Sequence, residues 1–246
     1  MPAIELQFLG AGDAFGSGGR LQTCMLLRGG AEPLLIDCGA SSLIAMKRAG
    51  VDPSGIGTVL LTHLHGDHFG GIPFLVLDGQ FSRRERPLVI AGPAGVRARV
   101  EAAMEVMFPG SSTVTRRFSI DYIEMAERTP IAVGPATVTA FAVEHANGAT
   151  PNALRVEYTG KTVACSGDTE WTPALLDAAR DADLFVCEAY SFEKKIKFHL
   201  DFASLREHRR ELQCKRIVLT HMGPDMLAHI EGIDWECAED GKTIAL

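Results

Sequence analysis

Residues 59–73, VLLTHLHGDHFGGIP, contain the pattern that decides the fold. The apolar run Val59–Leu61 predicts a buried strand, and four side chains that can bind metals follow it within six residues: His63, His65, Asp67 and His68. A loop with so many ionisable groups normally stays in water unless it serves a site. Since imidazole and carboxylate together suit zinc, iron or manganese, the stretch predicts a metal site just beyond a strand end.

The spacing within this stretch divides the four side chains into two pairs. His63 and His65 are two residues apart in an extended segment, so their side chains point the same way. Asp67 and His68 follow Gly66, where we expect a turn that only glycine adopts readily. Two pairs that are aimed in different directions suggest two neighbouring metals.

The pattern H-x-H-x-D-H at residues 63–68 closely resembles the signature of the metallo-β-lactamase superfamily. The resemblance extends from Gly10 to Gly223 and covers most of the chain. It implies an α/β fold, a four-layer αββα sandwich of two mixed β-sheets, with a binuclear metal site at one edge. No stretch rich in proline, serine or charge divides the chain, so we expect one metallo-β-lactamase-like domain over residues 1–246.

Three further candidate ligands stand where predicted strands end, in HANG, SGDT and THMG. Each of them, taken singly, can also be a polar residue that meets water at a strand end. The resemblance assigns seven ligands: His63, His65 and His145 to one metal, Asp67, His68 and His221 to the other, and Asp168 as the bridge between them. The expected cofactors are two divalent transition metals, with Zn²⁺ first and Mn²⁺ or iron as alternatives.

The expected chemistry is hydrolysis. Two metals about 3.5–4 Å apart lower the pKa of a shared water towards ~7, and they neutralise charge that builds on a phosphoryl oxygen. Asp67 is expected to orient the resulting hydroxide. His199, in KFHLDF, is the candidate donor to the leaving oxygen, because a non-ligand histidine has a similar place in the transfer-RNA 3′-processing branch of the superfamily. Glu188, in CEAY, resembles the carboxylate of that branch that orients such a histidine; alternatively, His199 is a surface residue of a charged loop.

Composition restricts the partners and the compartment. The net charge of −7 argues against a general nucleic-acid surface, but it does not exclude a small anionic ester as the substrate. Six cysteines without a C-x-x-C pair predict buried free thiols in a reducing cytoplasm. Neither a signal peptide nor a membrane span is expected, and the sequence is compatible with a homodimer. The glycine-rich residues 10–19 precede a predicted strand, so we interpret them as a mobile or substrate-facing loop and not as a nucleotide loop.

The resemblance is strongest to ribonuclease Z-like and cyclic-phosphodiesterase-like members. The ribonuclease carries a long arm that grips transfer RNA between the ligands equivalent to His145 and Asp168, whereas only 22 residues separate them here. A small phosphodiester is therefore the first-choice substrate, and a large nucleic acid is disfavoured. The alternatives are hydrolysis of another ester (a lactone, a thioester or an aryl sulfate), a ribonuclease Z-type activity, and a non-catalytic metal-bound carrier or sensor.

Overall fold

The computed structural model describes residues 3–146 and 148–246. Within these residues the strands form two mixed sheets. The first sheet contains seven strands: β1 (Glu5–Gly10), β2 (Cys24–Arg28), β3 (Leu34–Ile36), β4 (Thr58–Leu60), β5 (Leu88–Gly92), β6 (Ile120–Glu124) and β13 (Thr243–Ala245). The second contains six: β7 (Ile131–Val133), β8 (Ala136–Ala142), β9 (Asn152–Tyr158), β10 (Lys161–Cys165), β11 (Leu184–Glu188) and β12 (Ile217–Thr220).

Seven α-helices occur among the described residues: α1 (Ser42–Arg48), α2 (Gly66–Phe69), α3 (Ile72–Phe81), α4 (Val96–Met107), α5 (Ala174–Ala179), α6 (Phe202–Glu207) and α7 (Pro224–Leu227). Short 3₁₀ turns lie at Ser17–Gly19, Pro53–Gly55 and Ile230–Gly232. None of the helices in the described part of the chain is long and apolar enough to cross a membrane.

Three apolar clusters explain the layering. The first lies between the sheets and contains side chains from both, such as Phe8 of β1 and Val156 of β9. The second packs the outer face of the first sheet against helices, for example Leu35 of β3 with Val100 of α4, and the third does the same for the second sheet. Successive side chains of β8 point to opposite faces of the sheet, so Val138 lies in the inner cluster and Phe141 in the outer one. The expected four-layer αββα sandwich of two mixed β-sheets is confirmed.

The parallel parts of the two sheets bring the polar strand ends together. In the first sheet β3, β4, β5 and β6 run parallel, and in the second β10, β11 and β12 do so. Ligands bind beyond the carboxyl ends of parallel strands, where side chains after neighbouring strands meet. Asp37 and His63 follow β3 and β4, and Asp168 and His221 follow β10 and β12.

The turn expected at Gly66 is wrong. Gly66 begins helix α2, its φ is not among the positive ones, and a β-carbon placed on it would meet no atom within 4 Å. The change of direction comes from the helix itself, since His65 is extended (ψ 153°) as the residue before it. Asp67 and His68 then lie in the helical turn, so the two pairs do belong to different local structures.

The Asp240-Gly241 pair predicts a hairpin over residues 236–245. This prediction is also wrong, since the two arms of the segment join different sheets. Cys237 forms a bridge with Leu219 beside the second sheet, whereas Ile244 of β13 pairs with Leu6 of β1 in the first. The physical reason is Asp240, whose carboxylate accepts hydrogen bonds from the N–H groups of Ala11 and Leu21. This segment therefore ties the edges of the two sheets together.

Candidate metal centre

The first group of expected ligands consists of three histidines from two sheets. His63 follows β4, His65 precedes α2, and His145 lies beyond β8. Each offers a ring nitrogen, and these nitrogens all lie within 4.8 Å of one another. His145 Nε2 and His65 Nδ1 are only 3.0 Å apart. The two nitrogens can share a proton at this distance, and when both are unprotonated they can hold a cation between them.

The second group contains two carboxylates and two histidines, all buried. Asp67, His68, Asp168 and His221 offer atoms that lie within 4.8 Å of one another. His221 Nε2 is 3.2 Å from Asp67 Oδ2 and 3.4 Å from His68 Nε2. Burial of two ionised carboxylates is costly unless cations compensate them, so this group also has the character of a cation site.

Asp168 lies between the two groups. Its Oδ2 is 3.8 Å from His63 Nε2 and 3.9 Å from His145 Nε2 on one side. On the other side, Oδ1 is 3.2 Å from His68 Nε2 and Oδ2 is 3.5 Å from His221 Nε2. The preceding Gly167 makes this approach feasible: its φ is +59°, and a β-carbon there would stand 2.9 Å from the Asn152 carbonyl oxygen. One carboxylate is thus within reach of both expected metal positions.

The titration behaviour of these groups fits divalent metals. Burial, together with the neighbouring charge of His68, lowers the pKa of His63 well below its ordinary value, which keeps the imidazole neutral as a ligand must be. Its Nε2 is buried and makes no hydrogen bond with any described residue. Burial opposes protonation of His221 too, but Asp168 and the other carboxylates raise its pKa to about 10. The second group therefore has a negative potential that a bound cation would neutralise.

Asp37, which was not assigned from the sequence, contacts the candidate ligand His68 on the side away from the metal position. Its Oδ2 is 2.8 Å from His68 Nδ1, and its Oδ1 accepts a hydrogen bond of 2.8 Å from the N–H of Thr62. A carboxylate on the outer nitrogen fixes the tautomer and leaves the other nitrogen of His68 free for a metal. The only signal in the sequence was an aspartate directly after the apolar strand β3, and its backbone has a φ of +59°.

We expect Asp37→Ala to weaken metal binding by about 10–100-fold, the usual cost of losing a partner of a ligating histidine. Competition with a chromophoric chelator measures the affinity in the folded protein. Asp234→Ala, at an exposed aspartate, serves as the matched control. Wild-type affinity in Asp37→Ala would show that His68 needs no such support.

Beside the centre, Glu188 and His199 form the expected pair. His199 Nδ1 is 2.5 Å from Glu188 Oε1, and the same oxygen is 3.4 Å from His221 Nδ1. Glu188 is fully buried, and its Oε2 accepts hydrogen bonds from the N–H groups of Thr169 and Leu200. Burial opposes protonation of His199, but Glu188 outweighs it and raises the pKa of the imidazole. The contact with Glu188 therefore favours the protonated, donating form of His199.

Two open spaces flank the centre. A cavity of about 420 Å³ adjoins His199 and is lined by Trp171, Lys195 and Lys197 among others. On the other side, an apolar cleft of about 480 Å³ adjoins Asp67, and Phe69 and Met107 form part of its wall. Both are large enough for a small organic ligand.

The sandwich, with histidines and aspartates gathered at its strand ends, defines this protein as a hydrolase of the metallo-β-lactamase fold. The chain belongs to the family described as anti-Pycsar protein Apyc1, which matches residues 4–237.

Relatives of known structure or name support this placement. Ribonuclease Z of Lachnospira eligens is 24% identical over 304 aligned residues, which cover 99% of this chain and 98% of the relative. Protein YhfI of Bacillus subtilis, a metallo-β-lactamase fold protein, has a TM-score of 0.80 at 20% identity over 99% of both chains. The short form of human tRNase Z has a TM-score of 0.78 at 23% identity over 98% of both chains. The fold and the ribonuclease Z-like branch are thereby confirmed.

Proposed function

We propose that this hydrolase holds two divalent metals and cleaves a small phosphodiester. One observation carries the proposal: His199, bonded to the buried Glu188, stands beside the seven-donor centre and opens onto a cavity. A metal centre alone suits many esters, whereas a protonated donor beside it serves a reaction whose leaving group is a poor one, such as an alkoxide.

The donor set determines how the metals would be held. His63, His65 and His145 would bind the first metal, while Asp67, His68 and His221 would bind the second, with Asp168 shared between them. Zinc is the first candidate, because imidazole and carboxylate donors suit it. When bound, such a pair would lower the pKa of a water and neutralise charge on the phosphoryl group.

The chain's own residues would then divide the remaining work. The Asp67 carboxylate lies at the margin of the apolar cleft, where it can orient the attacking water as well as hold the metal. His199 would donate its Nε2 proton to the departing oxygen, while Glu188 keeps its Nδ1 side engaged. Glu188 would also stabilise the positive charge on the imidazolium before the transfer.

The size of the substrate follows from what lies between His145 and Asp168. Strands β9 and β10 with the tight turn at Thr159 and Gly160 occupy most of this interval, so no arm extends from it among the described residues. The alignment with ribonuclease Z is 304 residues long and exceeds the 246 residues of this chain, so the relative has segments that this chain lacks. A cavity of about 420 Å³ suits a mononucleotide-sized group.

A panel of substrates tests the proposal. We expect the zinc- or manganese-loaded protein to hydrolyse bis(4-nitrophenyl) phosphate and at least one cyclic nucleotide, and to leave precursor transfer RNA intact at physiological salt. A lactone and an aryl sulfate complete the panel. Efficient cleavage of the precursor RNA would favour the ribonuclease Z activity instead, and hydrolysis of the lactone or sulfate alone would reject the phosphodiester.

A further inference from the structure

Phe198, the residue before His199, has an unusual backbone. Its φ is +71°, in the left-handed region that bulky aromatic residues rarely occupy. A conformation of this kind persists only where the surroundings over-determine it, and such residues cluster at functional sites.

The backbone N–H and the carbonyl oxygen of Phe198 each form a hydrogen bond with a side chain of the site. Its N–H donates a hydrogen bond of 2.7 Å to Glu170 Oε1. Its carbonyl oxygen accepts a hydrogen bond of 2.8 Å from His145 Nδ1, the nitrogen that faces away from the metal position. In this left-handed backbone, the N–H and the carbonyl oxygen of Phe198 thus bond side chains from two separate segments of the chain.

Glu170 is itself fixed in place. Its N–H donates a hydrogen bond of 3.1 Å to the carbonyl oxygen of Glu144, the residue before His145. It stands two residues after Asp168, and its side chain is half-buried beside the cavity that adjoins His199. Glu170, in the segment after β10, therefore contacts two others: its N–H bonds the segment after β8, and its carboxylate bonds the segment that presents His199.

We propose that Glu170 is a positioning residue that holds Phe198 in its left-handed conformation. Through Phe198 it fixes two functional groups at once: the carbonyl oxygen that orients His145 as a metal ligand, and the backbone that presents His199. The part that concerns His199 rests on the proposed phosphodiesterase function. The part that concerns His145 requires only that the site binds metal.

Four variants test this role: Glu170→Ala, Glu170→Gln, Phe198→Gly and the double variant Glu170→Ala/Phe198→Gly. Glu193→Ala, at an exposed glutamate of the same loop, is the matched control. Metal affinity is measured by chelator competition on the purified protein. In parallel, kcat and KM are measured with one phosphodiester of poor leaving group and with bis(4-nitrophenyl) phosphate.

We expect Glu170→Ala to weaken metal affinity by about 10-fold, the lower end of what is lost when a group that orients a ligating histidine is removed. With the phosphodiester that has a poor leaving group, kcat should fall by about 10-fold while KM stays within a factor of about two. With bis(4-nitrophenyl) phosphate, this loss of kcat should be smaller. Glu170→Gln should recover at least about half of both quantities, because its amide oxygen can accept the same hydrogen bond.

The double variant separates positioning from a general structural role. Glycine adopts a positive φ without steric cost, so Phe198→Gly removes much of the need for a clamp. In the Phe198→Gly background, the effect of Glu170→Ala on metal affinity and on kcat should fall below about threefold. Two unconnected residues would give additive effects instead. Equal losses in both backgrounds, or a Glu170→Gln variant as impaired as Glu170→Ala, would overturn the proposal.

The two measurements also distinguish this inference from the proposed function. If the wild-type protein cleaves no phosphodiester, the proposed function fails, yet the metal affinities still decide the role of Glu170. Unchanged metal affinity in Glu170→Ala would then reject the positioning role, and a drop that Glu170→Gln restores would support it.

Discussion

Asp168→Ala is expected to remove both metals and to lower phosphodiester hydrolysis by about 10³-fold or more, as the loss of a central member of a catalytic unit does. The reason is its position, since Asp168 Oδ2 lies 3.8 Å from His63 Nε2 in one donor group and 3.5 Å from His221 Nε2 in the other. Without the carboxylate, both groups lose a negative charge that stabilises a bound cation. Elemental analysis and initial rates on the same preparation measure the two effects.

The control for this experiment is Asp121→Ala, at an exposed aspartate of the edge strand β6. It removes the same charge from the chain without changing the centre, so metal content and rate should stay at the wild-type level. If Asp168→Ala retained two tightly bound metals and full activity, Asp168 would not be the bridge, and another arrangement of the seven donors would be needed.

The second large effect is expected at His199. If the imidazole donates a proton to the departing oxygen, His199→Ala should lower kcat by about 10²-fold or more with little change in KM, because the interaction forms mainly in the transition state. Metal content should remain at the wild-type level, since His199 is outside both donor groups of the expected metals. The effect should shrink with a nitrophenyl ester, whose leaving group departs without a proton.

His229→Ala is the matched control for His199→Ala. His229 stacks on Phe192 with ring centres 4.1 Å apart, away from the donor groups, so its loss should leave kcat unchanged. A His199→Ala variant that lost metal would mark the residue as a ligand. Full activity of that variant on a poor leaving group would show that a different group supplies the proton.

The gathering of the seven candidate donors could be predicted from the sequence. Four of them form one contiguous pattern, and the other three follow apolar strands within three residues. Residues that follow parallel strands lie at the same edge of a sheet, so this local pattern also predicts which side chains come together. Asp37 stands at a strand end too, but its function depends on His68, from which it is 31 positions away in the chain. The resemblance marks Asp168 as a candidate ligand, but no pattern in the sequence pairs Asp37 with His68.

Glu170 and Phe198 were beyond sequence reasoning for a related reason. Their hydrogen bond joins residues 28 positions apart, and the left-handed backbone of an aromatic residue has no composition signal. The two wrong turn predictions, by contrast, rested on local sequence signals alone. Gly66 begins a helical turn, which glycine enters without a positive φ. At the Asp240-Gly241 pair, tertiary contacts such as the hydrogen bond from Ala11 N–H to Asp240 override the local turn signal.

A metal titration tests the central statement, that two metals serve one hydrolytic site, most directly. Zn²⁺ or Mn²⁺ is added to metal-free protein while bound metal per chain and the rate of bis(4-nitrophenyl) phosphate hydrolysis are recorded together. The binuclear centre predicts that the rate reaches its maximum only at two equivalents per chain, and that Asp67→Ala and His221→Ala stop at one equivalent with little activity. Full activity at a single equivalent, unaffected by either substitution, would contradict it.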